Sequence, residues 1–201
     1  MAENFIGSDG QSRCGWCGGA PEFLDYHDLE WGFPSMSDNE VFEKICLESF
    51  QSGLSWRTIL NKRDNFRKAF KNFDIDKIAR FNQSNVKRLL QDEGIVRHRG
   101  KIEALINNAG CAQKLIQEHG SLAAFFWQYQ TSNKTQNGST SDESISLAKA
   151  LKKMGWKFVG PTTVYAFMQA MGLINDHSEA CIIRNKVELA RQDYKSVADA
   201  K

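Results

Sequence analysis

The chain has 201 residues, 41% of them hydrophobic and 25% charged, enough for one domain with a substantial core and too few for a multidomain protein. The formal net charge of +2 excludes a uniformly basic nucleic-acid-binding protein, so any DNA binding must come from a local patch. No apolar run approaches the ~18 residues of a membrane span, residues 1–13 lack a signal-peptide core, and five cysteines argue against a disulfide framework. We therefore expect an intracellular protein with reduced thiols.

The hydrophobic pattern of the first half of the chain predicts an all-α fold. Residues Ser37–Glu40 have the form of a capping box, and a helix is expected from there to about Phe50. Gly53 interrupts the pattern, and a second helix is expected to begin at Leu54–Trp56. Further short helices are predicted at 63–72, 75–80 and 84–91. A longer helix follows and ends at about residue 118, with an apolar face that contains Ile102, Leu105, Ile106 and Ala109. No strand pairing and no internal repeat are evident.

The second half continues the helical pattern after a polar linker at 131–146, with a helix predicted from about 143 to Met154. Another helix is predicted from Thr162 to Met171. The residues after about 184 are polar and predict a loosely packed tail. The predicted organisation is therefore a polar tail at 1–12, a helical domain at 13–184 that is either one body or two lobes, and a polar tail at 185–201.

The junction between the last two predicted helices has features of a helix-hairpin-helix motif. Gly155 is suited to ending the first helix, and Pro161 is suited to the first turn of the next. In such a motif the backbone N–H groups of the turn bind a DNA phosphate, and Gly160 allows a close approach. The alternative is a corner between two helices that binds no ligand.

Four soft metal ligands lie near the two ends of the chain: Cys14 and His27, and His177 and Cys181. The last two are spaced i, i+4, so one helical turn can direct both at one metal, and two cysteines with two histidines suit tetrahedral zinc. The alternative is a set of buried thiols and core histidines, and the spacing alone favours that alternative. The motif Cys14-x-x-Cys17 has no βαβ context that would indicate a redox site.

Several aromatic residues and one carboxylate suggest a site for a nucleobase. Five aromatic residues lie in the first third of the chain: Trp16, Phe23, Tyr26, Trp31 and Trp56. They either provide faces on which a base could stack or are simply core residues. On a helical wheel Glu48 falls at the edge of the apolar face, where its carboxylate either faces a cleft or remains in water. The basic run Arg97–Lys101 is the best local patch for phosphate, although such runs are more often solvated surface.

Together, these segments resemble the 3-methyladenine DNA glycosylase I family of helix-hairpin-helix glycosylases. The matching stretches run in order along residues 13–181: Arg13–Trp16, Tyr26–Asp28, Glu30–Gly32, Leu47–Glu48, Gln51 with Gly53–Trp56, Gly94–Lys101, Lys157–Gly160 and Asn175–His177.

The resemblance implies a helical glycosylase fold in which one structural zinc ties the chain ends together, held by Cys14, His27, His177 and Cys181. It also implies a base pocket formed by Trp16, Tyr26, Trp56 and Glu48, with Asp176 as a further candidate near the second hairpin helix. Phe23 stands where better-known members have a pocket tyrosine, and Cys17 is a second departure that could compete as a ligand. The implied contacts with DNA fall on Leu54, Arg97, Arg99, Lys101, Val159, Gly160 and Thr162.

The implied activity is hydrolysis of the N-glycosidic bond of 3-methyladenine in alkylated double-stranded DNA, with base flipping and water as the nucleophile. We expect a cytoplasmic monomer that is associated with the nucleoid while it scans DNA. Two alternatives are a non-enzymatic helix-hairpin-helix module that only binds DNA, and a zinc-stabilised helical interaction protein.

Overall fold

The computed structural model describes residues 4–132 and 138–199, the last five of them by backbone alone. Ten α-helices occur in this part of the chain: α1 Glu22–Leu29, α2 Asp38–Gln51, α3 Trp56–Ala69, α4 Ile75–Ala79, α5 Gln83–Gln91, α6 Arg99–His119, α7 Leu122–Phe126, α8 Asp142–Lys153, α9 Pro161–Ala170 and α10 Arg184–Asp199. Short 3-10 helices cover Gly15–Gly19, Lys71–Phe73 and Trp127–Tyr129. The predicted helical class is confirmed.

The helices that frame the site begin and end at residues with a clear local reason. Ser37 caps α2 by accepting a hydrogen bond from the Glu40 backbone, although Glu40 itself accepts from Ser35 and does not close the predicted box. Ser141 forms a capping box with Ser144 at the start of α8. Pro161 occupies the first turn of α9, as predicted, because the N–H that it lacks has no partner within a helix there.

One large apolar cluster joins α2, α6 and α9 and extends to most other helices. The 21 residues of α6 supply a long buried face that includes Ile102, Leu105, Ala109 and Ala112. A second, smaller cluster lies where the chain ends meet and contains Cys14, Cys181, Ile183 and Val187. The fold therefore places the two candidate ligand pairs in one buried location.

The C-terminal ends of α1 and α9 are held together beside α2. The Lys44 ammonium donates to the carbonyls of Ala170 at 3.0 Å and Glu30 at 3.3 Å. Gly172 has a φ of +72°, and a Cβ there would lie 2.1 Å from the carbonyl oxygen of Gly32. Only glycine permits this close approach, which fixes the segment after α1 against α9.

Two expectations about regular structure in the N-terminal half were wrong. Residues 5–6 and 12–13 pair as a short antiparallel hairpin, β1 Phe5–Ile6 and β2 Ser12–Arg13, so part of the expected polar tail is ordered. The separate helix expected at 63–72 belongs to α3, which runs without interruption to Ala69.

Of the expected linker at 131–146, residues 133–137 lie outside the described residues, and the part from Asp142 onward is α8.

The expected loose C-terminal tail is instead a packed helix. Along α10, Val187, Arg191 and Tyr194 form a buried face. Arg191 donates to the carbonyls of Gly172, Leu173 and Thr131, and the Tyr194 ring stacks on Trp127 at 4.1 Å. The prediction failed because the central residue of this face is an arginine, which is buried only because distant carbonyls accept from it. No described helix has the length and apolar character of a membrane span.

Candidate functional site

The four predicted metal ligands converge in the buried space between the chain ends. Their ligand atoms lie within 4.8 Å of one another. The Sγ atom of Cys181 lies 3.5 Å from Nε2 of His27 and 3.4 Å from Nδ1 of His177, and the latter atom is 3.5 Å from Sγ of Cys14. Tetrahedral zinc, with bonds of about 2.3 Å to sulfur and about 2.0 Å to nitrogen, separates these atoms by about 3.5 Å. The residues therefore fit a tetrahedral ion.

The second nitrogen of each histidine is held by an acceptor outside the cluster. Nδ1 of His27 lies 2.7 Å from the Asp28 carboxylate, and Nε2 of His177 lies 3.2 Å from the carbonyl of Trp31. Asp28 is itself held by Arg13 through contacts of 2.8 and 3.0 Å. Such partners fix the ring orientation and direct the other nitrogen of each ring towards the two cysteine sulfurs, as in metal sites.

Cys17 is buried but stays outside this group, although it is three residues from Cys14. It lies in the 3-10 helix Gly15–Gly19, where its backbone N–H donates to the Cys14 carbonyl. Burial raises the pKa of its thiol to about 11. In contrast, hydrogen bonds from Cys14, His177 and His27 lower the pKa of Cys181. Of these two thiols, that of Cys181 and not that of Cys17 is favoured as a thiolate by its neighbours.

The predicted pocket aromatics form one continuous group beside the metal ligands. The Trp16 ring packs against His27 at 5.3 Å, Phe23 at 5.7 Å and Tyr26 at 6.3 Å. Tyr26 in turn packs against Trp56 at 5.2 Å. The structure thus brings together all four aromatic residues that the resemblance places at the pocket, although they lie on the 3-10 helix, α1 and the start of α3.

Glu48 is buried next to this aromatic group, with 6% of its surface exposed. Burial raises its pKa to about 8, against a smaller lowering by Lys44. Within the described part of the chain no group donates a hydrogen bond to its carboxylate. Glu48 lies close to Tyr26, because its negative charge raises the pKa of the Tyr26 hydroxyl. Only the burial of Tyr26 has a larger effect on that pKa. The carboxylate keeps some contact with solvent, and a cationic ligand that covered it would offset the cost of desolvating its charge.

Asp176, the alternative carboxylate, is in a different situation. It accepts hydrogen bonds from Gln169 at 2.6 Å and from the Tyr165 hydroxyl at 3.4 Å, both on α9. Both donors bind the same oxygen, Oδ2, so the Asp176 carboxylate is partly satisfied by protein donors, unlike that of Glu48.

In the turn between α8 and α9, the backbone is accessible at the surface, whereas the Val159 side chain is buried. Gly160 precedes α9 with a φ of −70°, and a Cβ built on it would meet no atom within 4 Å. Thr162 is exposed, whereas Val159 is buried with 1% exposure, so only its backbone could contact a ligand. Neither the backbone angle nor packing requires glycine at 160, although glycine is also an ordinary N-cap residue and Gly160 is the N-cap of α9.

The basic run at the start of α6 differs from the expected patch in one residue. Arg97 and Arg99 are exposed and pair weakly with Glu93 and Glu103 at 3.4 and 3.2 Å. Lys101 is buried, and its ammonium donates to the carbonyls of Phe50 at 2.8 Å and Ser52 at 2.5 Å. The charge of Lys101 is thus used to hold the end of α2, and the expected contact of Lys101 with DNA stays a prediction.

The turn held by Lys101 carries Leu54, whose side chain is 42% exposed. Sequence reasoning missed this use of Lys101, as well as the clamp that Asn108 applies to the hairpin turn. Asn108 accepts from the Lys157 N–H at 2.8 Å and donates to the Lys157 carbonyl at 2.9 Å. A buried asparagine on an apolar face was the available signal, but its partner lies 49 residues away.

Residues 16–185 match the family model described as methyladenine glycosylase. The chain is 45% identical to DNA-3-methyladenine glycosylase 1 of Escherichia coli (strain K12), over 84% of this chain and 95% of that protein. It is 40% identical to DNA-3-methyladenine glycosylase of Haemophilus influenzae, with coverage of 85% and 96%.

Solved structures agree with these relatives. A crystal structure of 3-methyladenine DNA glycosylase I matches with a TM-score of 0.80 and 46% identity, covering 85% of this chain and 98% of that one. A tyrosine-to-phenylalanine variant of 3-methyladenine DNA glycosylase I in complex with 3-methyladenine matches with a TM-score of 0.77 and 35% identity, covering 82% and 93%.

Proposed function

Because the chain belongs to the methyladenine glycosylase family, we infer that it is a DNA repair glycosylase that releases 3-methyladenine from alkylated DNA. It is a hydrolase and monofunctional. The observation that best supports this function is the largely buried side chain of Glu48 beside Tyr26, with a carboxylate to which no described group donates a hydrogen bond.

The proposed pocket selects a cation that is also aromatic. Attached to DNA, 3-methyladenine carries a positive charge, whereas adenine does not. Stacking on Trp16, Tyr26 or Trp56 favours a cationic ring through attraction to the aromatic face. The Glu48 carboxylate accepts a hydrogen bond from the amino edge of the base, and its charge favours the lesion over adenine. Phe23 packs on Trp16 and supplies surface without a hydroxyl.

The proposed reaction needs little acid catalysis, because the base leaves as a neutral molecule. The bond between C1′ and the base nitrogen breaks, its electron pair neutralises the base, and a water oxygen bonds to C1′ and loses its proton. The flipped base is held while this occurs. Lys44, the lysine that interacts with Glu48, already donates to two carbonyls and is not free to form a Schiff base. Asp176 is a secondary candidate for assisting the water.

DNA contact is assigned to the surface formed by the start of α6 and the hairpin turn. We propose that the backbone at Val159 and Gly160, with Thr162, binds a phosphate at the start of α9, as in a helix-hairpin-helix motif. Arg97 and Arg99 add charge to the same surface, and the exposed Leu54 is suited to occupying the space left by the flipped nucleotide. The protein is proposed to act as a monomer, which size-exclusion with light scattering would test.

One structural zinc is proposed for the site of Cys14, His27, His177 and Cys181. The sulfur–nitrogen separations and the buried, hydrogen-bonded histidines support this assignment. When bound, zinc supplies folding free energy, and all four positions are taken by protein, which leaves no position for a reacting water.

The decisive experiment incubates the protein with methylated duplex DNA and identifies the released bases by chromatography. We expect free 3-methyladenine from the wild type. Glu48→Ala should remain folded, retain affinity for undamaged duplex and lose affinity for free 3-methyladenine by about one to two decades, since a charge-assisted hydrogen bond is worth roughly 1.5–3 kcal/mol.

Glu40→Ala, an exposed glutamate on the same helix, serves as the matched control and should change neither property. Release of no base by a wild type that still binds the DNA would instead indicate a non-enzymatic binding module. Unchanged base affinity in folded Glu48→Ala would move recognition to another residue, with Asp176 the next to test.

A further inference from the structure

The side chain of Phe158 is a large apolar group on the surface of the hairpin turn. It is 41% exposed, although phenylalanine is normally buried. Its backbone has a φ of +56°, in the left-handed region that a bulky residue rarely adopts. Folding alone would favour glycine or asparagine at this position, so neither local conformation nor core packing explains a phenylalanine here.

The turn around Phe158 is held rigidly by α6. The two hydrogen bonds between Asn108 and the backbone of Lys157 fix the preceding residue. Asn107 donates to the Gly155 carbonyl at 2.8 Å and fixes the start of the turn. The ring of Phe158 lies 6.1 Å from that of His98, edge to face, and close to Gly100. The ring is thus positioned and only partly covered.

The surroundings of Phe158 are basic. Lys157 precedes it and is exposed, and Arg97 and Arg99 flank His98. The nearby carboxylates, Glu93 and Glu103, form only exposed pairs with these arginines. A polyanion with apolar surface between its charges fits this combination, and the DNA backbone, with a deoxyribose between successive phosphates, is such a polyanion.

We propose that the Phe158 ring packs against a deoxyribose next to the phosphate bound by the hairpin turn, and so holds the duplex in register beside the pocket. At this left-handed position of the turn the ring remains 41% exposed. Phe158 and Leu54 then form two apolar contacts with DNA, and both are supported by the start of α6. His98 and Gly100 contact Phe158, and Lys101 holds the turn that carries Leu54. This proposal rests on the proposed function, because it takes DNA as the partner.

The test measures affinity for a duplex containing an abasic-site analogue over a range of salt concentrations, in the wild type, Phe158→Gly and Phe158→Asn. Both replacements tolerate a positive φ, so neither should lower the unfolding midpoint. Each should weaken duplex binding about tenfold at every salt concentration, because an apolar contact is lost and no ion is retained or released. Affinity for free 3-methyladenine should stay the same.

Two comparisons make the result specific. Arg99→Ala should reduce the slope of log affinity against log salt, since it removes a phosphate contact, whereas the Phe158 variants should give lines parallel to the wild type. Leu189→Ala, which removes an apolar side chain 61% exposed on α10, should change nothing. Unchanged duplex affinity, a changed salt slope or a loss of free-base affinity in the Phe158 variants would overturn the proposal. A wild type that binds duplex but releases no base would contradict the proposed activity and not this contact.

Discussion

At the scale of single residues, the proposed role of Glu48 in binding is paired with an expected cost in stability. Its carboxylate is buried, and no described group donates a hydrogen bond to it. The folded protein therefore favours the protonated form, and the ordinary pKa of 4.5 rises to about 8. A cationic base provides the charge that the protein itself withholds, since Lys44 directs its ammonium at two carbonyls. In the proposed function, selectivity for the lesion depends on this missing partner.

The pH dependence of stability tests this description. Because the folded pKa is raised, the stability from Glu48 is fully present below pH ~4.5 and is lost as pH rises to about 8, by on the order of 5 kcal/mol in total. Glu48→Gln lacks this titration, so its advantage over the wild type in free energy of unfolding should grow between pH 5 and pH 9. Urea unfolding at these pH values measures it, and a difference that does not vary with pH would contradict a buried carboxylate.

At the scale of elements, the sequence was informative where structure is local. Ser37, Ser141 and Pro161 mark helix starts through bonds or angles within a few residues, and those helices were predicted to within one or two residues. Lys101 was assigned to the surface because its acceptors belong to the end of α2, 49 and 51 residues earlier. Tertiary acceptors of this kind have no local signature.

The hairpin turn gives a prediction that separates folding from DNA contact. Gly160→Val should fold, because the added side chain begins in open space at a backbone angle that valine accepts. It should obstruct the approach of a phosphate and weaken binding to damaged and undamaged duplex equally, by tenfold or more.

Gly110→Ala is the matched control for that variant. Its Cβ also meets no atom, and it lies in the middle of α6, where alanine stabilises by roughly 0.5–1 kcal/mol. It should leave duplex affinity unchanged. If Gly160→Val altered the choice of released base and left duplex affinity as it was, the turn would not be a phosphate site.

At the scale of the whole molecule, the cluster of four proposed metal ligands is where the two ends of the chain meet. Cys14 and His177 are 163 residues apart in sequence, which is why spacing alone favoured unrelated core residues and only the family resemblance identified the set. The same cluster supports the pocket, because the Trp16 ring packs on His27, and Val187 of α10 packs beside the ligands. Loss of the metal should therefore affect both stability and base binding.

The last prediction concerns this zinc. Protein purified without added metal should contain one zinc per chain by elemental analysis. Cys181→Ser should contain far less, and should unfold at a markedly lower temperature because structural zinc supplies folding free energy. Cys17→Ser is the matched control, since Cys17 is equally buried but lies outside the ligand group; it should keep the zinc. Free 3-methyladenine affinity should fall in Cys181→Ser and persist in Cys17→Ser, because Trp16 loses its support only in the former. A folded wild type without zinc would refute the assignment. Loss of zinc from Cys17→Ser would show that Cys17 is a ligand in place of one of the four.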